Sequence, residues 1–166
     1  MKGSVLNGLI IHPIKPIFDD TSEILILGSF PSVKSREQTF FYGHPQNRFW
    51  KVLSAVLGRS EPKTVEEKTA FLLSSKIAVW DVIGSCDIVG SADSTIKNAT
   101  PNDLSVILTR APIRRIFVNG KTALKYYNAL IADRIGLKAV YLPSTSPANA
   151  RLSLPSLISA WKVISE

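Results

Sequence analysis

Residues 23–32 read Glu23-Ile24-Leu25-Ile26-Leu27-Gly28-Ser29-Phe30-Pro31-Ser32. A short, nearly continuous apolar run that stops at a glycine is the pattern of a strand buried on both faces. Three more runs share it: Lys76 to Val82, Arg114 to Asn119 and Lys138 to Leu142. Helical stretches lie between them. Arg48 to Leu57 repeats apolar residues at Phe49, Trp50, Leu53, Val56 and Leu57, and Val65 to Leu73 carries acids in its first turn. Thr100, Pro101 and Asp103 read as N-cap, first helical proline and first-turn acid of a helix running to Arg110. Lys121 to Ile131 and Leu154 to Ile164 complete the set. Alternating strands and helices predict an α/β fold, a three-layer α/β/α arrangement around a mostly parallel four-stranded sheet, in a single domain over residues 1–166.

Composition sets outer bounds. With 45% hydrophobic, 20% charged and 8% aromatic residues, the 166-residue chain has the make-up of a soluble globular protein and lies far from the disordered class. Twenty Lys and Arg against thirteen Asp and Glu give a formal charge of +7, which favours polyanionic partners, nucleic acid first among them. The lone Cys86 excludes an internal disulfide, a thiolate zinc site and an iron–sulfur cluster. No apolar run approaches a membrane span, and Leu9, Ile10 and Ile11 are cut short by His12 and Pro13 rather than extending into a signal peptide. The expectation is an intracellular, cytoplasmic, monomeric protein that needs neither metal nor cofactor.

In a parallel sheet, ligands bind beyond the carboxyl ends of the strands, so the loops after Gly28, Val82, Asn119 and Leu142 should share one mouth. Asn119-Gly120-Lys121-Thr122 looks like the second half of a phosphate loop, but Arg115 stands where that motif needs its first glycine, and the NTPase reading fails. Asn119 could read a base edge or cap the helix that follows. Ser29 and His44 lack the Gly-x-Ser-x-Gly elbow of a serine hydrolase, and His44, before Pro45, fits a structural hydrogen bond. Two histidines and one cysteine offer no convincing metal set. Asp81, at the end of the second run, could contact a ligand or brace a loop.

The most informative order of residues is Gly28-x-x-Pro31, then Tyr42-Gly43-His44-Pro45-x-Asn47-Arg48-Phe49-Trp50, then Leu142-Pro143-Ser144-Thr145-Ser146-Pro147-Ala148-Asn149. It resembles the uracil-DNA glycosylase superfamily, and within it the mismatch-specific uracil glycosylases and the hypoxanthine-DNA glycosylase branch. Matching elements run from about Glu23 to Trp161. Two departures choose the branch. Where mismatch-specific relatives carry a water-positioning asparagine, this chain has Phe30. Where uracil-specific enzymes carry a histidine in the late motif, it has Ser144.

The resemblance implies a monofunctional glycosylase acting on DNA that contains deaminated bases. In it Asn47 orients the attacking water through its side-chain carbonyl and Tyr42 stacks on the flipped base, while the backbone around Gly28, Ser29, Phe30 and Pro31 contacts the base; Asn119 and Asp81 are candidates for its hydrogen-bonding edge, Asp81 equally for bracing a loop. The loop of Ser144, Thr145, Ser146, Pro147, Ala148 and Asn149, with Arg151, is expected to hold DNA, its hydroxyls and backbone gripping phosphate beside a helix start. Pro147 and Ala148 form a small wedge, which favours weakly paired or single-stranded targets. Alternatives at this stage are a uracil or mismatch-specific glycosylase, a catalytically silent nucleic-acid-binding module, and a small-molecule hydrolase built on Ser29 and His44.

Overall fold

The computed structural model describes residues 8–166; the expected domain also includes residues 1–7, which lie outside the described residues. Among the described residues seven strands run in chain order: β1 (Ile10–Ile11), β2 (Ile24–Gly28), β3 (Ile77–Asp81), β4 (Ile83–Asp87), β5 (Lys97–Pro101), β6 (Arg115–Asn119) and β7 (Ala139–Leu142). Seven α-helices accompany them among the same residues: α1 (Val33–Gln38), α2 (Phe49–Leu57), α3 (Val65–Ser74), α4 (Ser105–Leu108), α5 (Lys121–Leu130), α6 (Ala132–Ile135) and α7 (Leu154–Trp161).

The four strands expected from the apolar runs form one sheet, order β3-β2-β6-β7, and every pairing in it is parallel. Its central residues Leu25, Ile26, Leu27, Phe117 and Val118 are completely buried, as continuous apolar runs require. From β2 the chain crosses to β3 on one side, then to β6 and β7 on the other. Right-handed crossovers therefore place connecting helices on opposite faces, and a crevice opens at the carboxyl ends where the direction reverses. Phe49 and Trp161 pack edge to face at 5.8 Å, joining α2 to α7, and both are completely buried.

Helix ends follow their local chemistry. Thr64 and Glu67 form a reciprocal capping box at the start of α3, and Gly58 ends α2 at φ +66°. The Leu154–Ile164 stretch tightens into a 3₁₀ turn over Lys162–Ser165.

The second sheet differs from expectation. β1, β4 and β5 form an antiparallel sheet, order β1-β4-β5, that the apolar pattern does not disclose. Thr100 and Pro101, expected to open a helix, belong to β5: Thr100 pairs with Ser85 through backbone register and side-chain hydroxyls. The short helix α4 starts later, and Asp103 braces its approach by accepting from the Ser105 N–H at 3.0 Å. Cross-strand pairing there outweighs the local N-cap signal. β1 also lays the N-terminal segment against the main sheet: Ile17 bridges Val79, and the Trp80 indole donates to Ile14 O at 3.0 Å. That segment carries His12 toward the end of β3.

Candidate active site

At the carboxyl end of the parallel sheet lies a cavity of ≈ 590 Å³, within the range of small-ligand sites. Gly28, Ser29, Phe30 and Pro31 line it from the loop after β2, Tyr42 and Asn47 from the loop before α2, Asp81 from β3, Asn119 from β6, and Ser144 to Ala148 from the loop after β7. The residues singled out in sequence thus converge, apart from Asn149 and Arg151, which lie off the lining. Arg151 is exposed.

Asp81 forms the floor. It is buried, and its Oδ2 lies 2.8 Å from His12 Nε2. His12 Nδ1 accepts from the Ile14 N–H at 3.2 Å, so Nε2 carries the ring proton and donates to the carboxylate. The other oxygen, Oδ1, faces Gly28: a Cβ there would sit 2.5 Å from it and 3.0 Å from the Tyr42 hydroxyl. Gly28 is required because this packing leaves no room for a side chain.

Tyr42 adopts φ 52°, a left-handed conformation rare for a bulky residue. Its ring stacks on Phe49 at 3.9 Å and 11°, which covers one face. Burial, reinforced by the charge of Asp81, raises its phenol pKa well above the ordinary value, so the hydroxyl stays protonated. That hydroxyl is buried near Asn119 yet makes no well-formed hydrogen bond among the described residues. A buried unpaired donor carries a cost that a ligand acceptor could remove.

Thr145 is the hub of the opposite wall and is completely buried. Its Oγ1 accepts from Asn119 Nδ2 at 3.0 Å and donates to Asn47 Oδ1 at 2.8 Å, and its N–H donates to Asn119 Oδ1 at 3.1 Å. The Asn119 amide gives Thr145 one N–H and one lone pair, which joins β6 to the late loop and leaves its second N–H and second lone pair free of Thr145. One expectation changes. Asn47 Oδ1 also accepts from the Phe49 N–H at 2.9 Å, so both its lone pairs are occupied and its Nδ2 is the part left for a ligand or water.

The late loop is held rigid from within. Ser144 Oγ accepts from the Ser146 N–H at 3.0 Å, Ser146 Oγ accepts from the Ala148 N–H at 3.2 Å, and Asn149 Nδ2 donates to Ser144 O at 2.9 Å. Those backbone donors are therefore spent, and helix α7 begins only after its cap Ser153, so the hydroxyl hydrogens of Ser144 and Ser146 are the donors this loop leaves free. Arg48, which sequence reading left without a role, anchors the loop by donating to Leu152 O at 2.6 Å and Asn149 O at 3.0 Å.

On the remaining side, Ser91, Ala92, Asp93 and Ser94 reach the cavity from the connection between β4 and β5. Asp93 was not foreseen, nor was His12. Both are delivered by the second sheet, whose strands carry mixed polar and apolar residues. Among the described residues no group of His, Cys, Asp and Glu could hold a metal.

The family model described as the uracil DNA glycosylase superfamily matches residues 16–163. The chain belongs to the uracil DNA glycosylase superfamily. Within it the chain is 35% identical to a hypoxanthine DNA glycosylase of Methanosarcina barkeri over 88% of its own length and 92% of the relative's. It is 35% identical to another from Methanosarcina acetivorans over 89% and 93%. A solution NMR structure from Methanosarcina acetivorans, bearing a provisional uracil DNA glycosylase name, superposes with a TM-score of 0.77 at 31% identity, covering 95% of this chain and all of that one. The superfamily fold and the cavity at its sheet ends are thus consistent with each other.

Proposed function

We propose that the chain is a monofunctional, monomeric DNA glycosylase that hydrolyses the N-glycosidic bond of deaminated bases, hypoxanthine foremost, in DNA. The observation that carries this reading is the cavity floor. Asp81 Oδ1 is a fixed acceptor beside the protonated Tyr42 hydroxyl, a fixed donor. Hypoxanthine presents a ring N–H next to a carbonyl and so matches that pair. Adenine presents a ring acceptor next to an amino group and meets it with like facing like. A site built to hydrogen-bond one edge rejects its inverse by far more than a difference in size could achieve.

Tyr42 meets the base through its in-plane hydroxyl and not through its ring face, which stacks on Phe49 at 3.9 Å and so holds the phenol at the floor. Gly28 lets the base edge approach, and the backbone of Ser29, Phe30 and Pro31 closes one side. Asn47, with its carbonyl tied, holds the attacking water by donating from Nδ2 to the water oxygen. Ser144 and Ser146 hydroxyls grip backbone phosphate, with Arg151 outside, while Pro147 and Ala148 supply a small wedge into the vacated stack. The net charge of +7 draws the protein to DNA. Among the described residues no helix is long and apolar enough to cross a membrane.

Uracil also presents an N–H between carbonyls, so the same floor makes it the second substrate. The test is release of free hypoxanthine and uracil from matched single- and double-stranded oligonucleotides by wild type and Asn47→Ala. Hypoxanthine release by wild type, with most activity lost in the variant and DNA binding retained, is expected. Binding without release of either base would instead identify a silent nucleic-acid-binding module.

A further inference from the structure

Attack by water at C1′ requires an acceptor for the water's proton, and Asn47 cannot be that acceptor: its Oδ1 already accepts from Phe49 and Thr145. Phe30, at the position where mismatch-specific relatives place their water-holding asparagine, is an apolar side chain, 7% exposed. Asp81 is committed at the floor, with one oxygen on His12 and the other against Gly28 and Tyr42. One further carboxylate lines the cavity. Asp93 enters from the β4–β5 connection, and both its oxygens lie 3.4 Å from Ser29 Oγ, long contacts that leave lone pairs available. No Lys or Arg pairs with it among the described residues.

We infer that Asp93 is a catalytic residue of this site, the carboxylate that takes the proton of the attacking water. The inference rests on the glycosylase reading above. A water lone pair forms the C1′–O bond as the C1′–N9 bond breaks. The bonding pair leaves with hypoxanthine as its N9 anion and one water proton passes to the Asp93 carboxylate; return of that proton through solvent to the departed anion gives the free base and a deoxyribose hydroxyl at C1′ and restores the carboxylate. Asn47 Nδ2 donates to the water oxygen from one side while Asp93 accepts a proton from the other, leaving a lone pair for attack.

The local electrostatics suit a base. The residue as a whole is exposed, but its carboxylate is tucked against Ser29 and Thr122. Desolvation raises its pKa above the ordinary aspartate value, Asp81 adds to the rise, and the hydroxyls of Thr122 and Ser29 oppose it. Groups facing it are Asp81 from β3, Ser29 after β2, Thr122 on α5 and Cys86 on β4, which senses its charge. His44 lines the same cavity. The deprotonated form is the active one, so the rate falls as pH drops through this raised pKa.

The test is single-turnover release of hypoxanthine by wild type, Asp93→Asn and Asp93→Glu across pH, with substrate affinity and thermal midpoint measured alongside. Expected for Asp93→Asn is a rate lower by about 10²–10³-fold, the usual contribution of a positioned base. DNA affinity should stay within about twofold, the midpoint should be unchanged or higher, and the acidic limb should vanish. Asp93→Glu should recover part of the rate with an acidic limb. A wild type that releases hypoxanthine beside an Asp93→Asn variant of similar rate and pH profile overturns the assignment of Asp93 alone. A wild type that releases no base from any deaminated substrate overturns the glycosylase reading and this inference together.

Discussion

The parallel sheet and the antiparallel sheet each deliver one aspartate to the same cavity, under opposite conditions. Asp81 ends β3, is 4% exposed, and is held by His12 and by Asn102, whose Nδ2 donates to the Asp81 carbonyl at 2.9 Å. Asp93 hangs in the connection between β4 and β5, in an exposed residue whose carboxylate touches only hydroxyls. The first environment fixes an acceptor in place and suits recognition of a base edge. The second leaves a carboxylate at the cavity wall with no cation on it among the described residues, which suits proton transfer. Preorganisation belongs to the rigid sheet and reactivity to the added one.

The largest effect should separate the buried centre of the parallel sheet from the exposed edge of the antiparallel one. Leu27→Ala in β2, at a completely buried position, is expected to cost about 2–5 kcal/mol in denaturant unfolding, while Ile11→Ala in β1, 72% exposed, should stay within about 0.5 kcal/mol. Equal losses would mean that the exposed end of β1 is held as tightly as the buried centre of β2.

Next comes the floor. Asp81→Ala leaves His12 Nε2–H buried without its partner, a loss of about 1–3 kcal/mol in stability, and removes the acceptor for the base N–H. Preference for hypoxanthine over adenine in competition cleavage should fall by about 10–100-fold. Unchanged selectivity would move base reading elsewhere. Thr145→Val removes the hydroxyl's bonds to Asn47 Oδ1 and Asn119 Nδ2 while its N–H stays on Asn119 Oδ1, and should cost about 1–2 kcal/mol, with slower release caused by a misplaced Asn47.

Asp93→Asn sharpens the comparison from the other direction. Because the folded protein raises the Asp93 pKa, folding favours its protonated form, and the ionised carboxylate weakens the fold at pH values above that raised pKa. Removing the charge should leave thermal stability equal or higher at neutral pH, where a bracing residue would lower it. The smallest effect concerns the late loop: Arg151→Ala, exposed and off the cavity lining, should weaken DNA binding by only a few-fold and reduce the salt slope by about one unit.

The parallel sheet was legible because burial on both faces writes itself as unbroken apolar runs, and each of the four expected strands lies within a residue or so of its observed bounds. The residues around Gly28, Tyr42, Asn47 and Ser144 were legible because a family order of motifs preserves their spacing. The second sheet was not legible. β4 alternates buried Ile83 and Cys86 with half-buried Gly84 and Ser85, β1 is two residues long, and Thr100-Pro101 mimics a helix start. His12 and Asp93 ride on that sheet, 69 and 12 positions from Asp81, so no local pattern tied them to the site. The roles of Asn47 and Asn119 were only half legible, since which amide atoms are already bonded is decided by Thr145, remote from both in sequence.

The most direct measurement compares release of hypoxanthine and of adenine from matched deoxyinosine and deoxyadenosine oligonucleotides by wild type, Asp81→Asn and Asp93→Asn under single-turnover conditions. His12 still donates to the amide carbonyl in Asp81→Asn, which turns a donor toward the base. The account therefore predicts that wild type releases hypoxanthine, that Asp81→Asn loses selectivity, and that Asp93→Asn loses rate while keeping selectivity. Identical defects in the two variants, or wild-type selectivity in Asp81→Asn, would contradict it.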